Sequence, residues 1–353
     1  MEPLCVSPAN FAYQVLIGVG GIGTGKFFAL EGNHTLGREE SRAGHFVDQR
    51  DYCKLHIITH YVQVLLGSAF RTILIGRVGD DNEGRQLLDE MARVGLDARY
   101  VEVVAGGQTL FSFCFVYPDG SGGNLTTNDS VNATVDHALV DEAIPDFGEY
   151  RGHGIALAAP EAPLAARLHL LELATEYSFY RASSLNSLEI TSPEGASILS
   201  LTDLLAINGD EAAALTGIAP ETMRTESGVK MAVKAASQYQ PEIAVSVTCG
   251  KEGSWVWDGH ALQHVPAVMV DAVNTAGAGD AHFAGLLVGL AAGLSLCQAH
   301  ELATLVAALS VLSPHTIHPT LDRASLKALV DRHTLRLNDN IVGLLGGTAT
   351  QES

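Results

Sequence analysis

Between Val270 and Leu290, VDAVNTAGAGDAHFAGLLVGL, a short apolar run breaks into small residues and resumes as an apolar segment of helical composition. Gly277 and Gly279 let the chain turn sharply there and leave the amides of the turn uncovered by side chains. A strand, a glycine turn and a helix in that order place several N–H groups at a helix start, where the helix dipole favours an anion. Asp280 follows at once, in the first helical turn, beside such an anion and not inside it. A carboxylate at that position either caps the helix or accepts a proton from a hydroxyl that attacks a phosphoryl group. Both roles are open at this level.

The stretch Asn274-Thr275-Ala276-Gly277-Ala278-Gly279-Asp280, with the small-residue helix Ala281 to Gly293, resembles the C-terminal signature of the ribokinase-like (PfkB) carbohydrate kinases. The resemblance implies that Gly277, Ala278 and Gly279 form the anion hole, that Asp280 is the catalytic base and that Thr275 lies at the nucleotide. The family pattern often has Asp where this chain has Asn274, which bears on a monovalent cation at that point and leaves the base untouched.

A chain of 353 residues buries a large core as one α/β domain. Its 47% hydrophobic and 17% charged residues describe a globular protein. The formal charge of −19, with no basic run, argues against a nucleic-acid surface and for a small partner. Cys5, Cys53, Cys114, Cys249 and Cys297 are widely spaced without a CxxC pair, so neither a disulfide framework nor a zinc site is implied. Without a secretory leader or an apolar run of membrane-spanning length, a cytoplasmic protein with no membrane contact is expected.

Tyr13 to Ile17 reads as a strand that enters Gly18-Val19-Gly20-Gly21-Ile22-Gly23-Thr24-Gly25-Lys26. GxGxxG and GxxxxGK overlap in this stretch, and each needs a helix to begin at its glycines. Lys26 to Asn33 reads instead as a strand and a turn, and Phe27 stands where a P-loop needs Ser or Thr for magnesium. A dinucleotide oxidoreductase is therefore disfavoured. Asn33 to Lys54 is crowded with charge, which fits a solvated loop. The family, however, builds its sugar pocket between the first strand and the first long helix, and its Gly-Gly-Asn stretch is missing here. Arg38, Arg42, Arg50 and Lys54 stand in its place, and at least one of them is expected to face the pocket, suited to an acceptor that carries a carboxylate or phosphate, with Arg38 and Arg42 the candidate substrate contacts.

Leu55 to Gly67 has helical spacing, with His56 and His60 expected in packing or substrate contact and not on a metal. Thr72 to Val78 reads as a strand and Arg85 to Val94 as a helix stopped by Gly95, a block that resembles the family's early one and implies a right-handed parallel crossover. Tyr100 to Val104 and Thr109 to Tyr117 alternate as strands before the turn cluster Pro118 to Asn124. In the family, strands from this region and from around Phe27 form a β lid over the sugar, which makes Asp119 and Asn124 candidate partners of its hydroxyls. Ordinary turn chemistry accounts for both equally well.

From Gly154 onward, strands (Ile155 to Ala158, Ser178 to Ala182, Asp203 to Ile207) alternate with helical patterns such as Pro163 to Tyr177, as in a parallel sheet covered on both faces. Asn208-Gly209-Asp210-Glu211 stands at the end of one strand, where ligands bind in such sheets. It resembles the family's Asn-x-x-Glu motif, which helps hold hydrated magnesium and phosphate, and the same two side chains suit a capping box. Thr248, Gly250 and Gly253 resemble the Thr-x-Gly-x-x-Gly lining of the family's nucleotide site, ahead of a hairpin arm Ser254 to Trp257. Glu301 to Leu312 should pack beside adenine, Leu326 to Arg332 should close the domain, and Asn338 to Ser353 reads as a polar tail with a short apolar segment.

The expected fold is α/β, a doubly wound, mostly parallel sheet with helices on both faces and a small β-sheet lid, in one domain over 1–353 with lid excursions around 22–48 and 100–130. The expected activity is ATP-dependent phosphorylation of a hydroxyl on a sugar or sugar derivative, with Mg2+, and by resemblance a monovalent cation and a homodimer through the lid. A nucleoside kinase of the same fold and a non-catalytic sugar or nucleotide sensor are the alternatives. The joint presence of Asn208, Glu211 and Asp280 favours catalysis.

Overall fold

In the computed structural model, residues 1–119 and 122–346 are described. β1 (Val15–Val19), apolar and buried at all its positions, leads into β2 (Gly23–Leu30) and its antiparallel partner β3 (Gly44–Tyr52). Next come α1 (Lys54–Leu66), β4 (Arg71–Gly79), α2 (Asn82–Val94) and β5 (Asp97–Val104). β6 (Leu110–Val116) and β7 (Gly122–Thr126) pair antiparallel, and the short helices α3 (His137–Asp141) and α4 (Ile144–Glu149) lead to β8 (Gly154–Ala158). The chain then runs through α5 (Leu164–Glu176), β9 (Tyr180–Ser183), α6 (Pro193–Leu201), β10 (Leu204–Asn208), α7 (Gly209–Thr216), α8 (Glu226–Ala236) and β11 (Ala244–Thr248). The hairpin β12 (Ser254–Trp257) and β13 (Leu262–Val265) precedes α9 (Ala278–Ala291), α10 (Leu296–Ser310), α11 (Arg323–His333) and α12 (Asp339–Leu344).

The large sheet has the order β13-β12-β11-β10-β9-β8-β1-β4-β5, parallel throughout except at the β12 and β13 edge. A separate small sheet has the order β3-β2-β6-β7. Strands that are apolar at successive positions can be covered on both faces. One face of the large sheet meets α1, α9 and α10 in a single apolar cluster, and the other packs on α3 to α5 and, further along, on α6 to α8. Close approach of α9 to α10 depends on Gly285, where a Cβ would lie 2.5 Å from the Cα of Ala303. Among the described residues no helix is long and apolar enough to cross a membrane.

The glycines of Gly18 to Lys26 start no helix, because they pass from β1 directly into β2. Three differences from the sequence expectation concern strands. The charged segment contains β3, whose partner β2 supplies the ladder that charge patterning does not reveal. β5, assigned by the sequence to the lid excursion 100–130, pairs parallel with β4 at the edge of the large sheet. No strand precedes the turn at Gly277, since Val273 and Asn274 both donate their N–H groups to the carbonyl of Val311 after α10 and not to a sheet neighbour. Gly120 and Ser121 of the turn cluster, and 347–353 of the tail, lie outside the described residues.

Candidate active site

The carboxyl ends of the parallel strands point the loops that follow them into one cleft of about 920 Å³. Asn208 and Thr248, the last residues of β10 and β11, are register partners at its edge. Asn208 caps α7: its Oδ1 accepts from the N–H groups of Asp210 and Glu211, each at 2.9 Å, while Glu211 accepts from the Asn208 N–H at 2.8 Å. The capping box is therefore formed, and both residues still line the cleft. Gly250, Gly253 and Thr275 line it as well.

Gly277 precedes α9 with φ of +79°, a conformation that strains any residue with a side chain, and its added Cβ would stand 3.1 Å from Thr316. Thr316 is itself fixed to the small sheet: its N–H donates to the Arg50 carbonyl and its hydroxyl accepts from the Tyr52 N–H. Asn274 ties the turn from the other side, accepting from the Ala276 N–H and donating to the Pro314 carbonyl at 2.8 Å. Of the three amides expected to face an anion, that of Ala278 is spent within the turn, donating to the Thr275 carbonyl at 3.2 Å. The N–H groups of Gly277 and Gly279 make no hydrogen bond among the described residues, and both residues line the cleft.

Asp280, half-buried in the first turn of α9, lines the cleft beside them. Burial pushes its pKa up to about 7, the Lys54 ammonium opposes the rise, and the carboxylates of Glu161, Glu211 and Asp51 add to it. A carboxylate so poised suits a general base near neutrality. Lys54, the first residue of α1, has its Nζ 3.8 Å from Glu211. Burial disfavours its charge, but Asp280, Glu211, Glu161 and Glu189 together hold its pKa above the ordinary value.

Arg38, Arg42, Asp119 and Asn124 do not come to this cleft. Arg42 pairs with Glu40 at 2.7 Å and lies over the Tyr117 ring, and Arg38 is exposed. Asp119 receives the turn against Asn33 through its N–H, and Asn124 is exposed on β7. Of the four cations expected at the pocket, Lys54 does line the cleft, and the structure also brings Glu161 and buried Asp51 towards Asp280. Glu161 has φ of +72°, held there by Asn132, which donates to its carbonyl at 2.5 Å, and by the Lys54 N–H, which donates to its carboxylate at 3.0 Å. So fixed, the Glu161 carboxylate raises the pKa of Asp280. Its place just beyond the end of β8 was the only signal of it in the sequence. His282, which also lines the cleft, gave none.

A family model described as pfkB family carbohydrate kinase matches residues 59–323. The chain belongs to the pfkB family of carbohydrate kinases. This pfkB kinase is 31% identical to a fructokinase of Klebsiella pneumoniae over 229 residues, 62% of this chain and 70% of the relative. It is 28% identical to fructoselysine 6-kinase of Escherichia coli over 234 residues, 66% and 80% of the two chains. Among solved structures, Arabidopsis thaliana ribokinase complexed with ribose and ATP matches with a TM-score of 0.74 over 90% of this chain and 99% of that one, at 20% identity, a likeness of fold. The ribokinase-like fold expected from the sequence is thus present, and membership makes the protein a carbohydrate kinase.

Proposed function

We propose that Asp280 accepts the proton of a sugar hydroxyl as that oxygen attacks the γ-phosphorus of ATP. The new O–P bond forms while the bond from the γ-phosphorus to the β–γ bridging oxygen breaks, and ADP leaves. The amides of Gly277 and Gly279 stabilise the charge that gathers on the transferred group. What carries this assignment is the meeting, in one cleft, of two unpaired amides at a helix start with a carboxylate whose pKa is raised to about 7.

Asn208 and Glu211 suit magnesium as hard oxygen donors, and since the Asn208 oxygen already accepts two N–H bonds, water would stand between it and the ion. When bound, the ion neutralises phosphate charge. Asn274 carries no charge with which to hold a monovalent cation, and no step is assigned to one.

The acceptor we infer is an uncharged sugar. Arg38 and Arg42 stand outside the cleft, and Lys54 is already opposed by several carboxylates, so nothing near Asp280 invites a second anion. Residues 1–353 act, in this view, as one kinase unit in the cytoplasm, with the small sheet as lid. On that lid Phe28, Phe46 and Phe113 cluster and Phe46 is 61% exposed, which supports pairing of two copies through this face. A panel of sugars and nucleosides with ATP, scored by ADP release, tests the assignment. Turnover confined to nucleosides or to phosphorylated sugars would defeat it.

A further inference from the structure

The turn that carries the two free amides is held from outside, by the segment that follows α10. Val273 and Asn274 both donate their N–H groups to the Val311 carbonyl, at 2.8 and 3.2 Å, which occupies both lone pairs of that oxygen. The Asn274 side chain donates to the Pro314 carbonyl at 2.8 Å, and the Gly277 backbone rests close against Thr316. Three points along one segment, Val311, Pro314 and Thr316, therefore fix the residues just ahead of α9. The Thr316 carbonyl in turn accepts from the Tyr61 hydroxyl at 3.3 Å. All three carbonyls thus hold a neutral protein donor.

The orientation of the Asn274 amide follows from its neighbours. The Ala276 N–H can only donate, so it meets Oδ1, and the Pro314 carbonyl can only accept, so it meets Nδ2. A proton of the amide therefore stands against the Pro314 oxygen. This is the position at which the family pattern often has Asp. An ionised carboxylate has no proton to give, so Asn274→Asp would set one oxygen against another, and a cation between them would relieve the repulsion. With Asn the amide proton already fills that gap.

We propose that the side-chain amide of Asn274 stands in for a monovalent cation: it ties the anion turn to the segment after α10 by itself, nucleotide binding needs no potassium, and Asn274→Asp would create that need. The proposal rests on ATP using the amides of Gly277 and Gly279. Asn274 is a positioning residue, which acts on the phosphate through the turn and touches none of the reacting atoms.

Calorimetry of ATP binding in potassium chloride and in choline chloride of equal concentration, at fixed magnesium, tests this without need of an acceptor sugar. Choline is too bulky to sit between two oxygens. The intact enzyme is expected to bind ATP with affinities within about twofold of each other in the two salts. Asn274→Asp is expected to bind at least about tenfold more weakly in choline and to regain most of that loss in potassium, with a melting temperature that rises with potassium and not with choline. Asn274→Ala removes the tether without adding a charge, so it should lose about three- to tenfold in both salts alike, a comparison that stands even where Asn274→Asp folds poorly. Binding by the intact enzyme that is about tenfold or more tighter in potassium would overturn the proposal, as would folded Asn274→Asp that is indifferent to the salt or Asn274→Ala that binds as tightly as the intact enzyme. In each of those cases the ATP site itself would stand. Binding of ATP in neither salt by the intact enzyme would overturn the anion site and this proposal with it.

Discussion

Replacing Asp280 with Asn should cost activity and add stability, and the two effects together separate a catalytic base from a helix cap. Asp280→Asn keeps size and shape but cannot take a proton, so turnover with an accepted sugar should fall by about a hundred- to ten-thousand-fold while nucleotide binding persists. The stability gain follows from the raised pKa. Below about pH 4 the carboxyl is protonated in folded and unfolded chains alike and nothing is lost. Between about pH 4 and pH 7 the unfolded chain ionises first, so the native state loses stability, and above about pH 7 the loss is complete. A rise from 3.8 to about 7 is worth at most about 4 kcal/mol. Solvent reaches part of this half-buried group, and screening reduces the expected gain in Asp280→Asn to about 1–2 kcal/mol at pH 8, less at pH 5. Steady-state kinetics and thermal melts at the two pH values measure both. If Asp280 only caps α9, the variant melts at or below the wild-type temperature and turns over normally. Either result would refute the assignment.

Lys54→Met removes the cation that most opposes the rise at Asp280, so the acid limb of the pH profile of kcat/KM should move upward by roughly one unit; an unmoved limb would show that Lys54 does not act on Asp280. Lys26 is exposed on β2, so Lys26→Ala should leave ATP affinity within about twofold, and a large loss measured by calorimetry would revive a phosphate role for that glycine stretch. Arg42→Ala breaks an ion pair with Glu40 on the lid and should leave the sugar KM unchanged. A rise of tenfold or more would place Arg42 against the acceptor.

Most of the α/β alternation was legible because each central strand is a short apolar run bounded by polar or small residues, as in β1, β8 and β11. Local chemistry also exposed the part of the cleft proposed for the nucleotide, since Asn208 to Glu211 and Thr275 to Asp280 are contiguous. The part proposed for the acceptor was hidden for the opposite reason. Asp51, Lys54, Glu161 and Asp280 come from four separate segments, and only the closure of the fold brings them together. β3 was obscured because its ladder is formed with β2 across an intervening charged turn, and charge alone reads as loop.

Thr316 joins two parts of the molecule that would otherwise vary separately. It braces the turn at Gly277 and is stitched through its N–H and its hydroxyl to the end of β3. Grafting the small sheet of another sugar kinase, the route to a new acceptor if that sheet is the lid proposed here, would therefore disturb the turn at Gly277 unless the Arg50 to Tyr52 splice point is kept. The usable junctions lie further out along β2 and β3, beyond Lys26 and Arg50, where the strands no longer touch the segment that holds Thr316.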